Sequence, residues 1–197
     1  MNKEAIKDII LKYSNMKVNR ADGTSDCLCD KGFYHCYHLI YPDLLEKYVN
    51  SDRSLNILEL GTYYGGSTLI FEELFPKATI YTLDHDFGNL KVDINRDNII
   101  KIELGQSDPQ LKSIVKDIKF DIIIDDASHQ SRDQIASFNL LRDSVNTNGI
   151  YIIEDVYPEH INNKEYPESF MSQFEHIDFS HINGRGDDRL FVYRKNT

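Results

Sequence analysis

Five short apolar runs punctuate this chain, and each runs into a glycine or an acid. They are LNILEL (55–60), ATIYTLD (78–84), NIIKIEL (98–104), KFDIIID (119–125) and GIYIIED (149–155). Runs of this length, rich in β-branched residues, read as strands. The stretches between them read as helices. STLIFEELF (67–75) is followed by Pro76, Asp108 to Lys116 is a short helix, and Ser131 to Val145 places Ile135, Phe138, Leu141 and Val145 on one side. Strands alternating with helices imply βαβ units, a mainly parallel sheet and right-handed crossovers. The unbroken III of 122–124 and IYII of 150–153 suit strands covered on both faces. Near the end, FEHIDFSHI and RLFVYRK flank the turn NGRGDD, an expected antiparallel pair at one edge. Seven strands result. Ahead of them, Ile6, Ile9, Ile10 and Tyr13 suit one face of a first helix, and Leu39 to Val49 suggests a second. After the fifth strand a polar, Pro-containing loop is expected, then a helical piece over Ser169 to Phe174.

The chain has 197 residues, enough for a single domain over 1–197, with an N-terminal helical or lid segment (1–50) and an α/β core (54–197). Its formal net charge is -10 with no basic stripe, which argues against nucleic acid or an anionic membrane as partner. No apolar run approaches the ~20 residues of a membrane span. The opening MNKEAIKDIILKYS mixes charged and apolar residues and lacks the apolar core of a signal peptide, so a cytoplasmic location is expected. Three cysteines, Cys27, Cys29 and Cys36, cluster with His35 and His38. An odd number makes no disulfide framework, and the spacing C-x-C-x6-C-x-H fits no common zinc pattern, which favours reduced thiols beside a loop.

In an open α/β sheet ligands bind at the carboxyl ends of the strands. The first such end is ELGTYYGGS, where Glu59, Gly61, Thr62, Tyr64, Gly65 and Ser67 are candidates for holding a cofactor. The dinucleotide fingerprint G-x-G-x-x-G fails here because Tyr63 takes the second glycine's place, and no P-loop lysine follows. Asp84 ends the next strand, where an acid can accept both hydroxyls of a ribose. A glycine turn without a pyrophosphate fingerprint, followed by a ribose acid, suits S-adenosylmethionine (SAM).

The fourth and fifth runs should be neighbours. Asp125, Asp126 and His129 follow one, and Glu154 and Asp155 follow the other. Carboxylates so crowded repel one another unless a cation or protons intervene. Oxygen ligands suit Mg²⁺, or less tightly Mn²⁺ or Ca²⁺. Such an ion among these acids would hold a substrate hydroxyl and lower its pKa. His129, three residues beyond Asp126, is placed to take the hydroxyl proton. The plainer reading is that Asp125 or Asp126 caps the following helix, but one acid suffices for a cap.

With these motifs in hand, the chain resembles class I SAM-dependent methyltransferases, and more closely the metal-dependent sugar O-methyltransferases of the macrocin and mycinamicin type. SDCLCDKGFYHCYHLIY is similar to that family's lid segment, with Asp30, Lys31, His35, Tyr37 and Tyr41 at its marked positions. LELGTYYGGS resembles its cofactor loop, YTLD its ribose acid and GQSDPQL its stretch near the adenine, at Gln106 and Ser107. IDDASH resembles its Asp-Asp-Gly-Ser-His, with Ala127 in place of the glycine, and NGIYIIEDV its Gly-x-Tyr-x-Ile-Glu-Asp strand. The resemblance implies a Rossmann-like methyltransferase sandwich, SAM as cofactor with Asp125 on its side of the site, Mg²⁺ on Asp126, Glu154 and Asp155, and His129 as base. It makes the cysteine-rich segment a lid over cofactor and acceptor, with His35 and Tyr37 pointing inward and Lys31 a further candidate for the lid or substrate, and it leaves a homo-oligomer open. Tyr157 and His160, in the loop VYPEHINNKEYPES, are candidates for touching substrate.

The expected activity is transfer of a methyl group to a sugar hydroxyl, on a glycan, a nucleotide sugar or a glycosylated natural product. The rivals are a metal-independent N- or O-methyltransferase, in which the acids bind a cationic amine, and a non-catalytic SAM-binding regulatory protein. A nicotinamide oxidoreductase is a remote fourth.

Overall fold

A computed structural model describes residues 1–196 of the chain. In chain order the elements are α1 (Lys3–Ser14), β1 (Lys17–Asn19), β2 (Ser25–Cys27), α2 (Tyr41–Val49), β3 (Asn56–Leu60), α3 (Gly66–Leu74), β4 (Thr79–Asp84), β5 (Ile99–Glu103), α4 (Gln110–Ile114), β6 (Phe120–Asp125), α5 (Ser131–Leu141), β7 (Val145–Ile153), α6 (Pro158–Asn162), α7 (Glu168–Met171), β8 (Glu175–Asp178) and β9 (Arg189–Arg194). β3 to β9 form one seven-stranded sheet in the order β5-β4-β3-β6-β7-β9-β8. β3 to β7 are parallel, and β9 joins β7 antiparallel with β8 outside it. This is the Rossmann-like methyltransferase architecture expected of the chain.

The period-2 alternation of strands divides the core. Ile57, Ile122, Ile124, Ile150 and Ile152 face α1, α2 and α3, whose Ile6, Ile10, Leu45, Ile70 and Phe71 are fully buried. Leu58, Leu60, Ile123, Tyr151 and Ile153 face the opposite layer, built from α4, α5 and α7. At the centre of that second layer is Phe138 of α5. Its ring meets Tyr151, Phe170, Phe174 and Tyr193 edge-on or tilted, with centroids 4.7–5.5 Å away. Because both faces are covered, β6 is buried from end to end. Its backbone termini therefore cannot drift, and the residues just past Asp125 emerge at one place.

Chain order reverses between β3, which leads out to β4, and β6, which leads the other way to β7. That switch point brings the ends of β3 and β6 side by side, with Leu60 opposite Asp125. Beyond it Asp126 N donates to Leu60 O at 2.9 Å, and Glu154 N donates to Asp125 O at 2.9 Å. Three loops are thereby tied at one rim.

Several boundaries differ from the sequence expectation. The helix expected over Ser131 to Val145 stops at Leu141, residues 142–144 make one 3₁₀ turn, and Val145 opens β7 opposite Phe120. Helical spacing and a buried strand position both ask only that Val145 be apolar, so periodicity could not separate them. The second helix begins at Tyr41 rather than Leu39, because Pro42 sits in its first turn and residues 37–39 wind as a 3₁₀ turn. The short α6 arises in the segment expected to be a loop, and β1 pairs with β2 as a hairpin in a stretch for which the sequence pattern carried no expectation. Residues 179–188 form a folded loop between β8 and β9, with Asp188 fully buried, not a tight turn. No helix among the described residues is long and apolar enough to cross a membrane.

Truncating Phe138 to Ala should cost about 3–5 kcal/mol of stability, the usual loss for a buried aromatic. Urea denaturation checks it. A loss under about 1 kcal/mol would mean that the α5 layer is not the second core it looks to be.

Candidate active site

A cavity of about 710 Å³ opens along the rim formed by the ends of β3, β4, β5 and β6. Its floor is the glycine turn after β3. Gly61 adopts φ +94°, and a Cβ there would lie 2.1 Å from Asp126 O. Only glycine allows the two loops to touch at the switch point. Gly66 is equally constrained, since its Cβ would meet Leu28 O at 2.5 Å, where the cysteine-rich lid segment crosses the turn. Asp84 holds the turn from the β4 side, its Oδ2 accepting from the backbone N–H of Thr62 at 3.0 Å and of Tyr63 at 2.9 Å.

Of the residues expected at a cofactor, Gly61, Thr62, Tyr64, Ser67, Asp84, Gln106 and Ser107 line the cavity. Glu59, Gly65 and Asp125 do not. Gly65 is the left-handed residue (φ 86°) that caps α3 from outside the lining. Glu59 is 1% exposed, and its Oε2 accepts from the hydroxyls of Thr68 and Thr82, bracing α3 on β4 while Oε1 stays unpartnered. Asp125 is fully buried and acts through Gln106. Gln106 Nε2 donates to Asp125 Oδ1 at 2.9 Å while Gln106 Oε1 accepts from Ser128 N at 2.7 Å. Burial pushes the Asp125 carboxyl up to about 7, against the pull of hydrogen bonds from Ser137 and Tyr151. Neither Asp125 nor Asp126 caps α5. Its N-cap is Gln130, with no side-chain bond to the helix. The capping explanation for the paired acids therefore fails.

The opposite wall gathers the acids and a histidine. His129 sits at φ 56° and Asp155 at φ 52°, left-handed conformations that non-glycine residues seldom adopt outside sites that need them. In consequence the His129 ring bridges two acids. Nδ1 lies 3.9 Å from Asp126 Oδ1, and Nε2 lies 3.9 Å from Asp155 Oδ2. Nδ1 is buried and has no hydrogen-bond partner. Ligand atoms of Asp126, His129 and Asp155 all lie within 4.8 Å of one another, a separation a cation can bridge. His129 and Asp126 line the cavity, whereas Asp155 stands behind them.

Glu154 is fully buried, and both its oxygens have partners: Tyr41 donates to Oε1 and the Lys31 ammonium to Oε2. Lys31 is 1% exposed and also reaches Asp126 Oδ2 at 2.5 Å. Burial alone would drive its pKa down, but Asp126 and Glu154 outweigh burial and hold it well above the ordinary value. The ammonium thus supplies positive charge to both Asp126 and Glu154. Asp155 Oδ1 accepts from Tyr37. Burial pushes the Asp155 carboxyl well up, and Asp126 and Glu154 push it further. The lid segment therefore meets the rim through Lys31, Tyr37 and Tyr41.

His35 stacks on Tyr37 with centroids 5.4 Å apart, and its Nδ1 lies 2.9 Å from Asp188 Oδ1 and 3.4 Å from Asp155 Oδ1. Tyr157 meets the His129 ring edge-on at 6.4 Å and lies outside the cavity lining. His160 is farther out, its Nδ1 2.6 Å from Glu165. Asp188 was overlooked in sequence. Its signal was a pair of aspartates closing a glycine-containing loop directly before a strand. Tyr63, stacked on Tyr64 at 3.9 Å, was missed because its position counted only as a failed glycine. The cysteines are free and belong to neither group of side chains close enough to share a cation.

Comparison with known proteins bears on the family and the fold. Residues 58–156 match the family model described as a methyltransferase domain. The chain is similar to the mycinamicin VI 2''-O-methyltransferase of Micromonospora griseorubida, 29% identical over 138 residues, covering 64% of this chain and 33% of that protein. It is similar also to the demethylmacrocin O-methyltransferase of Streptomyces fradiae, 27% identical over 164 residues, covering 78% of this chain and 40% of the other. The chain spans a third to two-fifths of the length of these relatives. Among solved structures it superposes on the MycE methyltransferase of the mycinamycin pathway in complex with Mg and SAH, with a TM-score of 0.68, 21% identity, and coverage of 97% of this chain and 55% of that one. At that identity the likeness is one of fold.

Gly61→Ala should separate the β3 turn from the β6 loop and abolish cofactor binding, read by calorimetric titration with SAM. Retained binding would show that the close approach is not needed. Asp125 gives a pH prediction. With a folded-state pKa of about 7 against an ordinary 3.8, the folded protein keeps a proton that the unfolded chain loses. The resulting cost to stability is absent below pH 3.8, grows as pH rises towards 7 and is complete above it. Asp125→Asn should therefore gain on wild type between those limits in a pH series of denaturation midpoints, and parallel curves would refute the assignment.

Proposed function

Because this chain belongs to the methyltransferase domain family, we propose that it transfers a methyl group from SAM to a sugar hydroxyl, with a divalent cation at the β6–β7 rim. The observation that carries the reading is the approach of Asp126, His129 and Asp155 to one another at the rim, with an imidazole between two carboxylates. The sugar acceptor rests on the relatives, which are sugar O-methyltransferases by name.

In this reading the glycine turn carries the methionine end of SAM, Asp84 faces the ribose, and Gln106, held by Asp125, shapes the adenine side. Asp126 and Asp155, whose oxygens lie close enough to share a cation beside His129, are hard donors suited to Mg²⁺, while Glu154, with its oxygens held by Tyr41 and Lys31, would join them only on release of the ammonium. A bound Mg²⁺ would orient the acceptor hydroxyl and lower its pKa. His129, whose ring lies between Asp126 and Asp155, takes the hydroxyl proton. The hydroxyl oxygen bonds to the SAM methyl carbon as the carbon–sulfur bond breaks, and S-adenosylhomocysteine leaves with the sulfur lone pair. The lid keeps water from the wall, since Tyr37, His35 and Lys31 are all buried above it.

His129→Ala should keep SAM affinity within about threefold while lowering the methyl-transfer rate about 10²–10⁴-fold, the usual contribution of a general base. Unchanged turnover on sugar acceptors would remove His129 from the mechanism. Asp126→Asn should weaken Mg²⁺ binding in a calorimetric titration, and chelator should abolish wild-type activity. Activity indifferent to chelator would move the reading to the metal-free transfer in which the acids bind an amine.

A further inference from the structure

Lys31, Tyr37 and Tyr41 all come from one eleven-residue stretch, and each donates to a different place on the acid cluster: Asp126 and Glu154, Asp155, and Glu154 respectively. The two tyrosines are neutral donors and can stay when a metal arrives. The ammonium cannot. It lies against Asp126 Oδ2 and Glu154 Oε2, carboxylate oxygens that Asp126 and Glu154 would have to free in order to hold a metal. Two cations on the same oxygens, in a site where Lys31 is 1% exposed and Glu154 fully buried, repel with little solvent screening.

We propose that Lys31 is an internal competitor for the divalent cation: it neutralises Asp126 and Glu154 and fastens the lid while the metal is away, and the metal must displace it to recruit Glu154. The inference rests on the metal reading of the site. It makes metal binding and the position of the lid a single equilibrium. The movement would reach the cofactor, because the backbone just before Lys31 is packed on the cofactor turn. Leu28 O stands where a Cβ on Gly66 would be, and Leu28, Cys29 and Asp30 line the cavity. A lysine placed only to neutralise buried acids would stabilise the fold and help, or at least not oppose, the order of the metal site. A competitor opposes the metal, so the sign of the effect separates the two roles.

The experiment uses the full chain, wild type and Lys31→Met, with Mn²⁺ as the probe, its free concentration read by electron paramagnetic resonance. The expected result is Mn²⁺ affinity at least about tenfold higher in Lys31→Met. A variant that binds while wild type shows no binding supports the proposal in its strongest form. Equal or weaker affinity in the variant overturns it and leaves the metal reading standing. No Mn²⁺ binding by either protein overturns both. Should Lys31→Met not fold, a second measurement decides. The chain has no tryptophan, and Phe33 is 63% exposed on the lid, so F33W gives a single reporter there. Mg²⁺ should shift its emission, and Mg²⁺ bound by calorimetry without any shift overturns the proposal.

Discussion

Three carboxylates at the ends of two neighbouring strands repel one another, and much of the molecule is arranged to bear that repulsion. Asp126 follows β6, Glu154 and Asp155 follow β7, and the parallel register of the two strands leaves them no way apart. Water cannot screen them, because Glu154 and Asp155 are buried. The balance comes from a segment far away in sequence. Lys31 reaches Asp126 across 95 residues and Glu154 across 123. Removing one partner of such a buried pair typically costs about 3–5 kcal/mol, chiefly because the other charge is stranded. The lid is therefore part of the fold as well as a cover.

The same arrangement explains how one rim holds two chemistries. On the β3–β4 side the loops are neutral or are capped by backbone: Asp84 is satisfied by amide N–H groups, and Gly61 lets the strand ends meet. On the β6–β7 side the carboxylates lack backbone donors in number and depend on Lys31, tyrosine hydroxyls and the His129 ring. Side-chain donors can move, whereas a strand end cannot. The first half of the rim suits a bound cofactor, and the second suits a centre whose protons and charges change during a reaction. The left-handed backbone at His129 and Asp155 places both side chains towards each other, a strained choice that the buried β6 and β7 can hold.

Much of this was legible in the residues. β6 and β7 were evident because a strand buried on both faces must be apolar throughout, as III and IYII are. The carboxyl-end rule pointed to Gly61, Asp84, Asp126, His129, Glu154 and Asp155 as candidates, of which Gly61, Asp84, Asp126 and His129 line one cavity. The reading faltered where one pattern served two structures. Val145 met the helical period and proved to be the first residue of β7. Asp125 stood at a strand end like Asp126, but alternation turned it into the core behind Gln106. NGRGDD read as a turn, yet Asp188 is fully buried against His35, because local composition reports backbone preference and carries no information about what a loop packs on.

The sequence by itself determined the alternation of strand and helix, the parallel sheet and the set of acids at its rim, since period, propensity and strand-end chemistry are local properties. Only the tertiary structure decided which groups answer those acids. Lys31, Tyr37 and Tyr41 lie on a segment whose pattern is silent about β6 and β7, and their donation to Asp126, Glu154 and Asp155 exists only because the chain folds back over the switch point. Charge compensation acts through distance in space, which a linear pattern does not contain.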